Sequence, residues 1–257
     1  MHSIRRDIIQ SLFPSGKYLT YSEGKSNVLI SAPHGGGIKP IHMPKRKYGN
    51  RLKDTYTRRL TEKVINYLSP IKPFYVYSDI HRSRVDLNRE IVEAAQGNTY
   101  AERVWNEWNT LLKYYQNEIR RLYGTGLYID IHSHNDGDYF ELGYNLNARD
   151  YLNAFESGKI NATTTIDSIG KSKVYDALFG KSSFHQQLKF YDLTPFMPDG
   201  HEVYFNGGRD VEVFSGNGIS AIQIECPVSI LKKELDYVAR ALANIISDFR
   251  DTYVVVQ

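Results

Sequence analysis

Short apolar runs alternate with longer stretches of helical period through most of this 257-residue chain, and that alternation restricts the fold more than any other feature. Residues 28–31, 73–78, 127–134 and 220–225 read as strands, each a brief apolar run bounded by polar or turn-forming residues. Residues 54–68 and 230–249 keep apolar side chains three and four apart, as an amphipathic helix requires. A third long helix opens at a Thr99/Glu102 capping-box pair and runs through Trp108, Tyr115 and Ile119 to a stop at Gly124. Shorter helices are expected at 4–12 and 173–179. Asn206-Gly207, between the apolar runs 202–205 and 211–214, predicts a hairpin. Strands separated by helices of this length pair in parallel, with helices on both faces. The expected fold is an α/β three-layer sandwich with a mixed, mainly parallel central sheet. One domain spanning residues 1–257 is expected at this length, with a hydrophobic content of 41% to build its core.

In such sheets ligands bind at the carboxyl ends of the strands, so the residues found there carry the functional signal. The first run ends in Ser31-Ala32-Pro33-His34-Gly35-Gly36-Gly37. The third ends at His132-Ser133-His134, and the last ends at Glu225. The second leads into residues 79–89, which hold Arg82, Arg84, Asp86, Asn88 and Arg89. Two imidazoles and a carboxylate make the three-residue shell of a catalytic zinc and leave one position open. A glutamate outside that shell can act as general base, and an arginine can stabilise an oxyanion. A second arginine with an asparagine can grip a substrate carboxylate. Spacing alone leaves choices open. His134 lies on the same strand face as His132, and Arg84 follows Arg82 at the same interval. Asp54 could equally cap the 54–68 helix. Asp86 reads as a partner for an arginine and Cys226 as a small core residue. His42, His81, His185 and His201 read as surface or loop histidines.

Composition sets the outer limits. A net charge of +3 favours neither a dedicated nucleic-acid binder nor a membrane-surface protein. Cys226 is the single cysteine, so no internal disulfide forms. No apolar run reaches membrane-spanning length, and residues 1–17 lack the continuous apolar core of a signal peptide. A cytoplasmic protein is expected. His-Gly-Gly-Gly after a strand also occurs in lipase-like serine hydrolases, but the Gly-x-Ser-x-Gly elbow they need is missing.

Taken together, the motifs resemble the N-formylglutamate amidohydrolases and their relatives, which share a fold with zinc carboxypeptidases. The matching stretches are residues 31–36, Asp54-Thr55-Tyr56-Thr57, residues 82–89, and Ile129-Asp130-Ile131-His132-Ser133. Tyr204-Phe205-Asn206-Gly207-Gly208 and Ile222-Gln223-Ile224-Glu225 complete the set, in family order. The resemblance implies a zinc-dependent amidohydrolase that uses metal-activated water on an amide of a small, carboxylate-bearing acyl-amino acid or peptide. It implies His34 and His132 as zinc ligands, Glu225 as general base and Arg82 as the carbonyl-polarising cation. Asn88 and Arg89 would hold the substrate carboxylate, and Gly207 and Gly208 would let the backbone approach it. Zinc carboxypeptidases carry a glutamate three residues after the first histidine, where this chain has Gly37. The first acidic residue downstream is Asp54, which matches an aspartate of the amidohydrolase pattern and is taken as the third ligand. The rival readings are a metal-free relative that binds an anion and a zinc peptidase acting on γ-glutamyl or peptide bonds.

Overall fold

The computed structural model describes residues 17–198 and 205–254. Among these residues the strands are β1 (Leu19–Ser22), β2 (Val28–Ala32), β3 (Phe74–Ser78), β4 (Gly126–His134), β5 (Glu141–Gly143) and β6 (Ile219–Pro227). They form one sheet in the order β1-β3-β2-β4-β6-β5. The inner four run parallel, and β1 and β5 are antiparallel edges. The helices are α1 (Thr57–Tyr67), α2 (Ile91–Ala95), α3 (Thr99–Tyr123), α4 (Ala148–Ser157), α5 (Lys171–Phe179), α6 (Phe184–Phe190), α7 (Arg209–Val213) and α8 (Val228–Tyr253). The three-layer α/β sandwich expected from the alternation is what forms.

The two faces of the sheet differ because side chains alternate along each strand. Val28, Ile30, Ile129, Ile131, Ile222 and Ile224 point to one face and join Leu60, Val64, Val238 and Leu242 of α1 and α8 in one core. Leu29, Phe74, Val76, Tyr128 and Ala221 point to the other and meet Trp108, Leu111, Leu112 and Tyr115 of α3. This second face turns polar toward the carboxyl ends. Ser31, Asp130 and Gln223 lie in register across β2, β4 and β6. One pleat further on, His132, Glu225 and Glu141 lie in register across β4, β6 and β5.

Three local expectations are corrected. Helix α1 starts at Thr57, not 54, and its N-cap is Tyr56, held at φ +68° with no side-chain cap bond. Asp54 therefore caps nothing. The Thr99/Glu102 box does not form, because Asn98 is the N-cap and its Oδ1 accepts from the Ala101 N–H at 2.9 Å. The hairpin about Asn206-Gly207 is not seen, because residues 209–213 are helical. Tertiary contacts account for this. The Asp210 N–H donates to Asn88 Oδ1 at 2.8 Å, and Trp108 Nε1–H donates to the Asp210 carboxylate at 2.8 Å. The expected first hairpin arm, apart from Phe205, the expected helix at 4–12 and His201 lie outside the described residues. His185 proves buried rather than superficial. Burial, followed by the charge of Lys189, lowers its pKa to about 4.

Candidate metal centre

Three donor atoms converge at the carboxyl edge of the sheet. His34 Nδ1 and His132 Nδ1 are 3.2 Å apart, Asp54 Oδ2 is 2.8 Å from His132 Nδ1, and it is 3.5 Å from His34 Nδ1. A tetrahedral zinc with ligands at about 2.0–2.1 Å spaces its donors roughly 3.3 Å apart. All three residues are buried. His34 follows β2, His132 lies in β4, and Asp54 is tied beside them by its own N–H, which donates to His34 O at 3.1 Å. Gly36 makes the turn after His34 possible: a Cβ there would stand 2.3 Å from the Asp79 carbonyl carbon.

The outer nitrogens of both rings are already engaged. His34 Nε2 is 2.6 Å from Asp86 Oδ1, and His132 Nε2 is 2.9 Å from Asp130 Oδ2. An Nε2–H donated to each carboxylate fixes the tautomer and turns both Nδ1 lone pairs inward. That is the outer support histidine ligands of metals receive. Asp130 is held in turn by the Ser31 hydroxyl, which lies 2.8 Å from Tyr128 OH.

Charge adds to the geometric fit. Asp54, Asp86, Asp130 and Glu225 surround the two imidazoles; Arg46 reaches Asp86 at 3.4 Å, and Arg82 reaches both Asp86 and Asp54. Arg82 Nε donates to Asp86 at 2.9 Å and its Nη1 lies 3.4 Å from Asp54 Oδ1. Burial opposes the charge on Asp54, but His34 and His132 overcome it and hold its carboxyl well below the usual range. Burial likewise opposes a charged His132, yet Asp130 and Asp54 push its imidazole well above its ordinary value. The site therefore calls for positive charge between the two Nδ1 atoms, and a divalent cation supplies it without protonating a ligand. The donor set and its anchors fit zinc.

Glu225 Oε1 lies 3.9 Å from His132 Nδ1, beside the tripod but not in it. Burial, reinforced by Asp54 and Glu141 against the pull of His132, pushes its carboxyl up to about 8. The Gln223 amide donates to Glu225 Oε1 at 3.2 Å. Arg82 rather than Arg84 reaches the tripod, since Arg84 Nη1 is spent on Met43 O at 2.8 Å. His134 is turned away to Tyr139 O at 2.8 Å. Asn88 is buried, with Nδ2 3.4 Å from His132 Nε2. Arg89 is two-fifths exposed and bonds Asn88 O at 2.7 Å. Gly207, at φ +117°, and Gly208 allow close approach to protein atoms: a Cβ on Gly208 would stand 2.3 Å from Asn88 Nδ2 and 2.5 Å from Gln223 Oε1. Sequence reasoning assigned no site role to Asp130 or Gln223. Each sits two residues before an assigned residue on the same strand face, and that spacing was the available signal.

The fold and site define a class: a three-layer α/β sandwich with a His-Asp-His tripod at the carboxyl edge of a mainly parallel sheet. Among solved structures, the fold is that of an N-formylglutamate amidohydrolase from Ralstonia eutropha JMP134. The match has a TM-score of 0.57 and 12% identity, covering 91% of this chain and 96% of that one. A gene product of Agrobacterium tumefaciens matches with a TM-score of 0.57 and 13% identity, covering 95% of this chain and 99% of that one. A metallo-carboxypeptidase from Burkholderia cenocepacia superposes more loosely, with a TM-score of 0.46, 11% identity, and 98% and 69% coverage. No family model and no curated protein matches the sequence.

Proposed function

We propose that the chain is a zinc-dependent amidohydrolase that cleaves a C–N bond in a small, carboxylate-bearing acyl-amino acid or peptide. One observation carries this reading: the convergence of His34 Nδ1, Asp54 Oδ2 and His132 Nδ1, with both outer nitrogens on carboxylates and Glu225 alongside. The three residues would hold zinc, which when bound acts as a Lewis acid and lowers the pKa of water to about 7. Glu225 takes the proton from the attacking water at its carboxylate and returns it to the leaving nitrogen. Arg82 balances Asp54 and Asp86 and adds positive charge where an oxyanion develops. Asn88, whose Oδ1 is held by the Asp210 N–H, lends its amide nitrogen to the substrate carboxylate. Arg89, the exposed guanidinium beside it, holds the substrate carboxylate.

Metal analysis together with hydrolysis of N-formyl- and N-acetyl-glutamate and γ-glutamyl amides tests this. About one zinc per chain is expected, with turnover lost on chelation and restored by zinc. Hydrolysis that survives complete metal removal would reject the reading. A protein that stays metal-free after zinc supplementation would be the anion binder instead.

Two substitutions probe the supporting residues. Asp86→Asn is expected to weaken zinc binding roughly 10–100-fold, read by competition with a chromophoric chelator. An unchanged affinity would mean that His34 is oriented without it. Arg89→Ala is expected to raise KM chiefly for substrates with a free carboxylate, and an equal rise on the methyl ester would remove that role.

A further inference from the structure

The loop of residues 35–53 leaves the tripod at His34 and returns to it at Asp54, its ends closed by the Asp54 N–H to His34 O bond. It carries Lys39, Lys45, Arg46, Lys47, Arg51 and Lys53 and no acidic residue, while the whole chain has a net charge of only +3. Arg46 alone points inward. It is buried, and its guanidinium bonds Glu93 O, Asn50 O, Arg82 O and Asp86. This arginine staples the loop against the site. The other five cations are exposed, and among the described residues none has a carboxylate within ion-pair distance.

The acids nearby are already committed. Asp54 and Asp86 serve the histidines and Arg82, and Asp79 takes the Thr20 hydroxyl at 2.6 Å and Arg58 at 3.0 Å. Backbone bonds from Gly37 and Ile38 to Asp79 O, and from Arg46 N to Ser83 O, seat the loop along the end of β3. There Lys39, Lys45, Lys53 and Arg84 gather about His81, and after burial their charges hold its imidazole below the ordinary value. Ile41 and Leu52 stand exposed between the lysines. The opposite rim, beyond β6, is acidic. Glu141 pairs across to Glu225, and Asp136 and Asp138 lie in the short connection between β4 and β5. The carboxyl edge of the sheet therefore has one cationic side with apolar points and one anionic side.

We propose that residues 39–53 are the landing surface for an acidic peptide substrate, the peptide alternative of the reading above, whose several Asp or Glu side chains run over this loop. The bond cleaved would lie between the tripod and Glu225, so that part rests on the amidohydrolase reading, whereas the binding does not. A single-acid substrate would need one guanidinium, not five further unpaired cations. A long nucleic acid fits less well, because the acidic rim on the other side of the site would repel it and apolar points offer it little.

The test is fluorescence anisotropy of the full chain with labelled decaglutamate, a Gly-Ser peptide of equal length and a short single-stranded DNA. Decaglutamate is expected to bind, and to weaken steeply between about 50 and about 500 mM salt. Combined Lys39→Glu, Lys45→Glu, Lys47→Glu and Lys53→Glu should reduce its affinity by roughly tenfold or more while zinc content stays unchanged. Absent decaglutamate binding, equal binding of the neutral peptide, salt-insensitive binding or an unaffected quadruple variant would each overturn the proposal. Tighter binding of the DNA would overturn it in favour of a nucleic-acid surface. The salt dependence is read on the unaltered protein, so it stands even if the variant misfolds. Binding retained without turnover would instead count against the hydrolase reading alone.

Discussion

His132→Ala is expected to leave the protein folded and free of zinc. The substitution removes one of three donors and the ring that faces Asp54 Oδ2 at 2.8 Å. Losing a ligand should exceed the roughly 10–100-fold penalty for losing a supporting partner, so zinc in the purified protein should fall to a trace. Hydrolysis should fall with it. The fold should persist because Ile129 and Ile131 still bury their side chains on the opposite face of β4. The stability cost comes mainly from Asp130, whose Oδ2 loses its 2.9 Å partner inside the protein. A buried carboxylate that loses its partner costs about 3–5 kcal/mol, and the Ser31 hydroxyl still bonds Asp130, so a marked lowering of the melting temperature is expected rather than unfolding. His134→Ala is the matched control. It lies on the same strand face, but its ring serves Tyr139 O and the Asp136 N–H, so zinc should remain. Zinc lost from the His134 variant and kept by the His132 variant would exchange the two assignments.

The inner strands were readable because their sequences obey two rules at once. Residues such as Ile129 and Ile131 feed one core, while Tyr128 and Asp130 alternate with them on the other face. The edges were not readable. β1 is Leu-Thr-Tyr-Ser and β5 is three residues long, and an edge strand with a single neighbour needs no apolar run to form. The Asn206-Gly207 signal does mark a glycine in the left-handed region, Gly207 at φ +117°. What followed was decided by distant partners, Asn88 and Trp108, which no local pattern contains. The same division runs through the site. A carboxylate two residues before His132, inside an otherwise apolar strand, is a local signal. The 2.6 Å contact of Asp86 with His34 is not, because it depends on how residues 79–89 fold back over the sheet. Asp54 shows how tertiary structure overrides a cap. Helix α1 starts without a capping side chain because that carboxylate lies against the two histidines.

Glu225→Gln is expected to keep the zinc and lose the turnover. Glutamine preserves the size of the side chain and the 3.2 Å approach of the Gln223 amide, and Glu225 is not among the three converging donors. What disappears is the proton acceptor, and a positioned general base contributes about 10²–10⁴-fold. kcat should fall by that order with KM little changed. A Gln variant that turns over normally would sink the assignment. Stability provides a second, independent reading in the metal-free protein. The Glu225 carboxyl is pushed from its ordinary 4.5 up to about 8, chiefly by burial. Between those values the folded chain keeps a proton that the unfolded chain has released, so stability falls as pH rises through that window. Glutamine has no proton to lose. The variant should therefore be the more stable protein near about pH 9, and its advantage should vanish near about pH 4, where both states of the parent hold the proton. Thermal unfolding of the two metal-free proteins across that range separates a carboxylate forced into a buried, anionic corner from one that sits comfortably in solvent. Only the forced one is poised to take a proton from water at neutral pH once a cation draws its pKa down.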